Sequence, residues 1–231
     1  VGSIRRKEPV QVRDVAYLRA HTDKPIKMTI PGAFTMAKMA ADEHYGDQEA
    51  LIMAYADAVN EEIHEMKEAG ADVIQIDEPH MQAHPIESNR FGVAAIDKAL
   101  EGISGATIVH LCFGYAYAVS EKPSGYSFLP ELDKCSASAI SIEAAEPSLD
   151  PSILETLPNK NVLFGVVDLR DQTVETSEII ANRLRSALRH IDPGRLIAAP
   201  DCGMKYLPRN VAFGKLQAMV KGAEIVRQEI S

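Results

Sequence analysis

From residue 25 onward, short runs of β-branched and apolar residues alternate with longer stretches in which apolar residues return at helical spacing. That alternation is the signature of βαβ units, because parallel strands can only be joined by a crossover of a dozen residues or more. It predicts strands over residues 25–30, 71–77, 106–113, 139–143, 161–168 and 195–199. Their near-continuous apolar character suits strands covered on both faces. Between the first two, residues 48–69 set Leu51, Ala54, Tyr55, Ala58, Ile63 and Met66 at helical spacing, and Gly70 stands where a C-terminal cap belongs. Further helices are predicted over 178–190 and 211–229, the last with no strand after it.

Counting the run from Val1 to Ile4 gives seven strands, each leading toward a helix. There is no internal repeat, no low-complexity tract and no Pro- or Gly-rich linker, so residues 1–231 read as one domain. The expected fold is α/β, a (β/α)8 TIM barrel lacking its first strand and so N-terminally incomplete. An open doubly wound sheet is the structural alternative, but the first βα turn carries no Gly-rich phosphate loop. A formal net charge of −9 argues against a phosphate-tracking surface, so no nucleic-acid partner is expected. No apolar run approaches the roughly 18–20 residues that span a bilayer, and no signal peptide opens the sequence. The reading is a cytoplasmic protein with small-molecule partners and no membrane partner. Three cysteines far apart make no disulfide framework; in a reducing compartment such residues are buried, catalytic or metal-bound.

The polar residues fall at one place in each unit. Asp77-Glu78, His110 with Cys112, Glu143, Asp168 with Arg170, and Asp201-Cys202 all lie at or just past predicted strand C-terminal ends, where barrel enzymes build their sites. In His110-Leu111-Cys112 the imidazole and thiol are two residues apart and project from one face of a strand. Alone, such a pair reads as a core histidine and a small buried hydrophobe. Alone, Glu143 reads equally as a salt-bridged rim residue. Together with Cys202 in its Pro-Asp-Cys-Gly loop, however, they make a set of one nitrogen, one oxygen and two sulfur donors, which suits Zn²⁺ over magnesium or calcium. Cys135, in a polar stretch before a strand, reads as non-ligating. A closed four-ligand shell usually marks a structural zinc; a thiol substrate could enter by displacing Glu143 or by expanding the shell.

Five motifs carry a resemblance to a known family: Lys27 to Met36, Ile74-Gln75-Ile76-Asp77-Glu78-Pro79, His110-Leu111-Cys112, Ser141-Ile142-Glu143 and Pro200-Asp201-Cys202-Gly203-Met204-Lys205. In this order the chain resembles the C-terminal catalytic barrel of cobalamin-independent methionine synthase and its single-barrel relatives, over nearly its whole length. The resemblance implies zinc ligation by His110, Cys112, Glu143 and Cys202, with Glu143 the ligand that moves when the thiol arrives. It implies substrate binding at the Asp77-Glu78 tip, with Asp77 on the amino group of homocysteine. It implies methyl transfer from methyltetrahydrofolate, or another methyl carrier, to homocysteine.

One departure bears on the donor. The family's Gly-Val-x-Asp-x-His motif appears here as Gly165-Val166-Val167-Asp168-Leu169-Arg170, with Arg170 in place of the catalytic His. Asp168 and Arg170 remain the candidate catalytic pair, but Arg cannot act as an acid or base near neutral pH; it can clamp an anion, or simply pair with Asp168 or Asp171. A second departure is Ala33, where many relatives carry Pro after the Gly. Arg170 motivates a related alternative, a zinc-dependent thiol alkyltransferase of the epoxyalkane:coenzyme M transferase type. Alternatives of other classes are a metal-free lyase resembling uroporphyrinogen decarboxylase and a non-catalytic zinc protein. His80 and His84 read as solvated loop residues that could reach the site. Tyr115, Tyr117 and Tyr126 follow the predicted zinc-binding strand in a long loop over 114–138, Asp201 could orient a ligand, and Lys205 could meet an anion or solvent.

Overall fold

The computed structural model describes residues 2–113 and 125–231. Its elements run α1 (Val12–His21), β1 (Lys27–Pro31), α2 (Ala33–Met39), α3 (Gln48–Glu68), β2 (Val73–Asp77), α4 (Pro79–Ala83), α5 (Pro85–Ala99), β3 (Ala106–Leu111), α6 (Leu129–Leu132), β4 (Ala139–Ile142), β5 (Asn161–Val167), α7 (Ser177–Ala187), β6 (Leu196–Pro200) and α8 (Arg209–Ile230). The strand order of the sheet is the order of the chain, β1-β2-β3-β4-β5-β6, and β1–β2, β2–β3 and β5–β6 pair in parallel. This is the α/β alternation of a (β/α) barrel.

Among the described residues there are six strands rather than seven. Gly2, Ser3 and Ile4 form no strand, and Val1 lies outside the described residues. The reason is local: the Ile4 amide donates to the Tyr45 hydroxyl at 2.8 Å. Two residues on, Arg6 is drawn onto α3, with Nε on Glu62 at 2.6 Å and Nη1 on Glu65 at 2.6 Å. A segment tied by side chains to a helix has no backbone partner with which to extend a ladder.

The chain gathers into two compact units, Val1–Leu111 with Pro130–Ala139 and Cys112–Leu129 with Ile140–Ser231. In the first, the long helix α3 begins at Asp47, whose side chain accepts from the Glu49 amide. It ends as its sequence demands. Gly70 has φ +108°, its amide reaches Lys67 O at 3.0 Å, and the Ala71 amide reaches Met66 O at 3.0 Å. This paired closure needs a left-handed residue, which glycine supplies without steric cost. Leu51, Ile52, Val59, Ile63 and Met66 on α3 are buried with Ile74 and Ile76 of β2. Glu62, on the same helix and 3% exposed, is satisfied by Arg6 and by the Val10 and Gln11 amides. In the second unit, Val162, Val166 and Val167 of β5 are fully buried, as are Ile180, Ala181 and Ala187 of α7. Helices α7 and α8 approach closely at Gly222, where a β-carbon would lie 2.6 Å from Ile180 Cβ and 2.7 Å from Ser177 O.

Candidate metal centre

Every polar strand-end residue singled out above sits at or just beyond the carboxyl end of its strand: Asp77 ends β2, His110 is in the last turn of pleat of β3, and Glu143, Asp168 and Asp201 each follow directly on β4, β5 and β6. Leu111, between His110 and Cys112, is fully buried, while His110 is 5% and Cys112 6% exposed. One donor atom from each of His110, Cys112, Glu143 and Cys202 lies within 4.8 Å of all the others. Cys112, Glu143 and Cys202 belong to the second unit, and His110 precedes Cys112 by two residues on the same strand end. Tetrahedral zinc bonds of about 2.0–2.3 Å imply donor separations of roughly 3.3–3.8 Å, so a group this tight can close on a single ion with small side-chain adjustment. The two sulfurs argue for a borderline-soft cation. The residues present therefore fit a metal ion of that kind.

The position of Glu143 is set by its neighbours on the chain. Its own amide donates to the Tyr126 hydroxyl at 3.0 Å, and Tyr126 is 4% exposed. Burial, reinforced by the Glu143 charge, holds the Tyr126 hydroxyl well above its usual range, so it stays protonated. Immediately after Glu143, the Asp201 carboxylate accepts from the amides of Ala144 at 3.1 Å, Ala145 at 3.0 Å and Glu146 at 2.7 Å. Asp201 thus braces the backbone behind one donor while its chain neighbour Cys202 supplies another. Burial pushes the Asp201 carboxyl up to about 6, against the pull of those amides.

At the end of β2 the two acids divide. Asp77 is partly exposed, and its Oδ1 accepts from Gln75 Nε2 at 2.8 Å. Glu78, 1% exposed, turns into the protein and accepts from the Phe34 amide at 3.1 Å and the Thr35 amide at 2.7 Å, at the start of α2. Gly32 makes this possible, since a β-carbon there would lie 2.1 Å from Glu78 Cδ. The Gly32 amide donates to Asp77 O at 2.8 Å and the Glu78 amide to His110 O at 2.9 Å, so the β2 end is laced to the β1 loop and to β3. Burial pushes the Glu78 carboxyl up to about 7.

Beyond β5, the Asp168 carboxylate accepts from the Arg170 amide at 2.8 Å, closing a turn. The Arg170 guanidinium is exposed and forms no ion pair among the described residues, so it pairs with neither Asp168 nor Asp171. What fixes this loop is a set of residues outside the strand-end motifs. Lys215 of α8, fully buried, donates to Asp168 O at 2.9 Å, Thr173 O at 2.7 Å and Glu175 Oε2 at 2.7 Å. Glu175 Oε1 in turn accepts from the Asp168 amide at 2.8 Å. The signal was there: Lys215, Ala218, Gly222 and Val226 share the buried stripe of α8, an unusual place for a lysine.

The remaining candidates lie as follows. His80 and His84 stack with ring centroids 5.8 Å apart, and burial is the main cause that lowers the His80 pKa. Lys205 Nζ lies 4.9 Å above the Tyr206 ring. Cys135 is buried and outside the four-residue group. Tyr115, Tyr117 and residues 114–124 of the long loop lie outside the described residues.

Strands in chain order, each delivering its polar residues at the carboxyl end, with a candidate metal-binding group of His, Glu and two Cys among them, define a barrel-class α/β protein with a metal-type site. The chain belongs to the cobalamin-independent synthase, catalytic domain, family, whose model matches residues 1–225. It is 33% identical over its whole length to methionine synthase of Pyrococcus horikoshii, of which it covers 66%. It is 34% identical, again over its whole length, to methionine synthase of Saccharolobus solfataricus, of which it covers 67%. It thus spans about two thirds of the length of these curated relatives. A solved B12-independent methionine synthase from a Shewanella species, in complex with selenomethionine, superposes with a TM-score of 0.94 at 36% identity, covering 100% of this chain and 70% of that one. A methyltransferase from Methanosarcina mazei shares the fold at a TM-score of 0.71 and 17% identity, covering 96% of this chain and 71% of that one.

No helix among the described residues is long and apolar enough to cross a membrane.

Proposed function

We propose that residues 1–231 are a single zinc-binding catalytic domain that transfers a methyl group from methyltetrahydrofolate, or another methyl carrier, to the thiol of homocysteine, forming methionine. The observation that carries this reading is the gathering of His110, Cys112, Glu143 and Cys202 within 4.8 Å, on a chain of the synthase family. Zinc, when bound, supplies a Lewis acid that favours the ionised, nucleophilic form of a thiol near neutral pH. His110, Cys112 and Cys202 would hold the ion. Glu143 would be the one oxygen donor to it, and Tyr126 and Asp201 fix the backbone at and just after Glu143, leaving its side chain as the part of the group that can move. Asp77 receives the substrate ammonium, and Glu78 keeps that end of β2 in position from inside. In the transfer the sulfur–carbon bond forms as the bond between methyl and carrier breaks, and the thiol proton leaves to carrier or solvent.

Asp168 and Arg170 form the donor side. Arginine side chains do not serve as acids or bases near neutral pH, so Arg170 contributes charge rather than proton transfer. Its exposed guanidinium, which forms no ion pair among the described residues, supports a second reading in which the thiol partner is itself an anion such as coenzyme M, and thiol consumption with homocysteine against coenzyme M separates the two. The test of the main reading is metal content and zinc-edge spectroscopy. About one zinc per chain and a gained sulfur ligand on adding homocysteine are expected. A zinc shell that takes no sulfur from any thiol would leave a structural site, and full activity after Cys112→Ser or Cys202→Ser would sink the reading outright. A metal-free lyase does not need these residues together.

A further inference from the structure

In the first unit, Lys27, Thr29 and Pro31 of β1 lie in register with Val73, Gln75 and Asp77 of β2. Residues two apart on a strand share a face, so Lys27, Gln75 and Asp77 stand on one face of this pair. Their side chains are joined end to end. Lys27 Nζ donates to Gln75 Oε1 at 2.7 Å, and Gln75 Nε2 donates to Asp77 Oδ1 at 2.8 Å. Chemistry sets the direction of this chain: an ammonium only donates and a carboxylate only accepts, so the amide between them has one orientation that satisfies both. Gln75 is 8% exposed, and a hydrogen bond made there is stronger than one in water.

We propose that Lys27 and Gln75 are positioning residues that make Asp77 selective for thiol substrates bearing an α-ammonium group over thiols that lack one. This rests on the thiol-transfer reading above and adds to it the origin of substrate choice. Gln75 holds Asp77 by one oxygen and so limits rotation of the carboxylate, which then meets an ammonium without a further ordering cost. Lys27 never touches Asp77. It acts by keeping the amide of Gln75 from turning over, which would set oxygen against oxygen. The mutual attraction is visible from the other end as well, since the Asp77 charge raises the Lys27 pKa against the lowering caused by burial.

A route through Gln75 makes a specific pattern. With zinc-loaded protein, calorimetry gives the Kd of homocysteine and of mercaptobutanoate, its analogue without the amino group, for wild type, Gln75→Ala, Lys27→Met, Lys27→Arg and the double variant Lys27→Met/Gln75→Ala. Zinc content and urea unfolding accompany each. Wild type is expected to prefer homocysteine. Gln75→Ala should cut that preference about tenfold, leaving mercaptobutanoate binding unchanged. Lys27→Met should act in the same sense, Lys27→Arg should restore the preference, and the double variant should match Gln75→Ala alone. Equal weakening of both thiols, an unchanged preference in Gln75→Ala, or additive losses in the double variant would overturn the positioning role. A wild-type protein that prefers neither thiol overturns it too. Absence of any homocysteine binding by zinc-loaded wild type instead brings down the thiol-transfer reading itself.

Discussion

Gly165 on β5 leaves the space that the Asp201 carboxylate occupies: a β-carbon at Gly165 would lie 2.0 Å from Asp201 Oδ1 and 3.0 Å from the Ala144 amide nitrogen. The absence of a side chain on one strand is thus what lets the residue before Cys202 brace the backbone after Glu143. Gly165→Ala must push Asp201 off the three amides it holds. Overpacking of this kind costs about 1–3 kcal/mol, and the displaced hydrogen bonds add to it. Urea unfolding should show the loss, and titration with a zinc chelator should show weaker metal retention. Normal retention would mean that the brace does not govern the donor group.

Glu78 makes stability depend on pH in an uncommon direction. Its carboxyl rises from an ordinary value of 4.5 to about 7 in the folded protein, chiefly through burial. Between those values the folded chain binds more protons than the unfolded one, so this contribution is fully present below about pH 4.5 and is lost as pH rises through about 7. The decline is on the order of 3 kcal/mol from this group alone. Urea midpoints measured across that range should fall more steeply in wild type than in Glu78→Gln, which has no proton to lose. Identical slopes would show that the carboxyl ionises as freely when folded as when unfolded.

Lys215 and Glu175 form a buried pair, with side chains 0% and 8% exposed, that clamps both backbone polar groups of Asp168. Removing Lys215 leaves Glu175 only the partly exposed Arg183, 3.3 Å away, as a counter-charge, and breaking a buried pair in this way costs about 3–5 kcal/mol. Lys215→Met should therefore be more damaging than the pair Lys215→Met/Glu175→Gln, in which no buried carboxylate is left without its ammonium and the partly exposed Arg183 keeps its bond to Val166 O at 2.7 Å. Thermal unfolding of the three proteins checks the order.

Metal loading has a signature independent of turnover. Ion binding to the folded state alone raises stability by mass action. Zinc added to chelator-stripped protein should raise its Tm, with no rise in Cys202→Ser and none on adding magnesium, because the donor set includes two sulfurs. A rise of the same size in Cys202→Ser would place the ion elsewhere.

The packing of α7 on α8 through Gly222 gives a control far from the site. Gly222→Ala places a β-carbon 2.6 Å from Ile180 Cβ, so it should destabilise the protein by about 1–3 kcal/mol while zinc retention stays unchanged.

Local sequence settled the parts of this protein that depend on local rules. Strand positions follow from β-branched runs bounded by turns, the end of α3 from Gly70, and the projection of His110 with Cys112 from the two-residue period of a strand. Of the run expected as a first strand, Gly2 to Ile4 form none because a strand exists only with a partner, and Ile4 and Arg6 are bound by Tyr45, Glu62 and Glu65 instead. Tertiary structure alone decided which polar residues act outward and which act inward. Asp77 and Glu78 are adjacent acids in the sequence, yet one is held at the surface by Gln75 and the other is buried against the start of α2. Gly32 and Gly165 stand in motifs that do not say what fills the space they leave, and Lys215 and Glu175 stand in none; each matters through a residue tens of positions away. Periodicity reports which side of an element faces the core, but which long-range partner waits there depends on strand order and register, and those exist only once the chain has closed on itself.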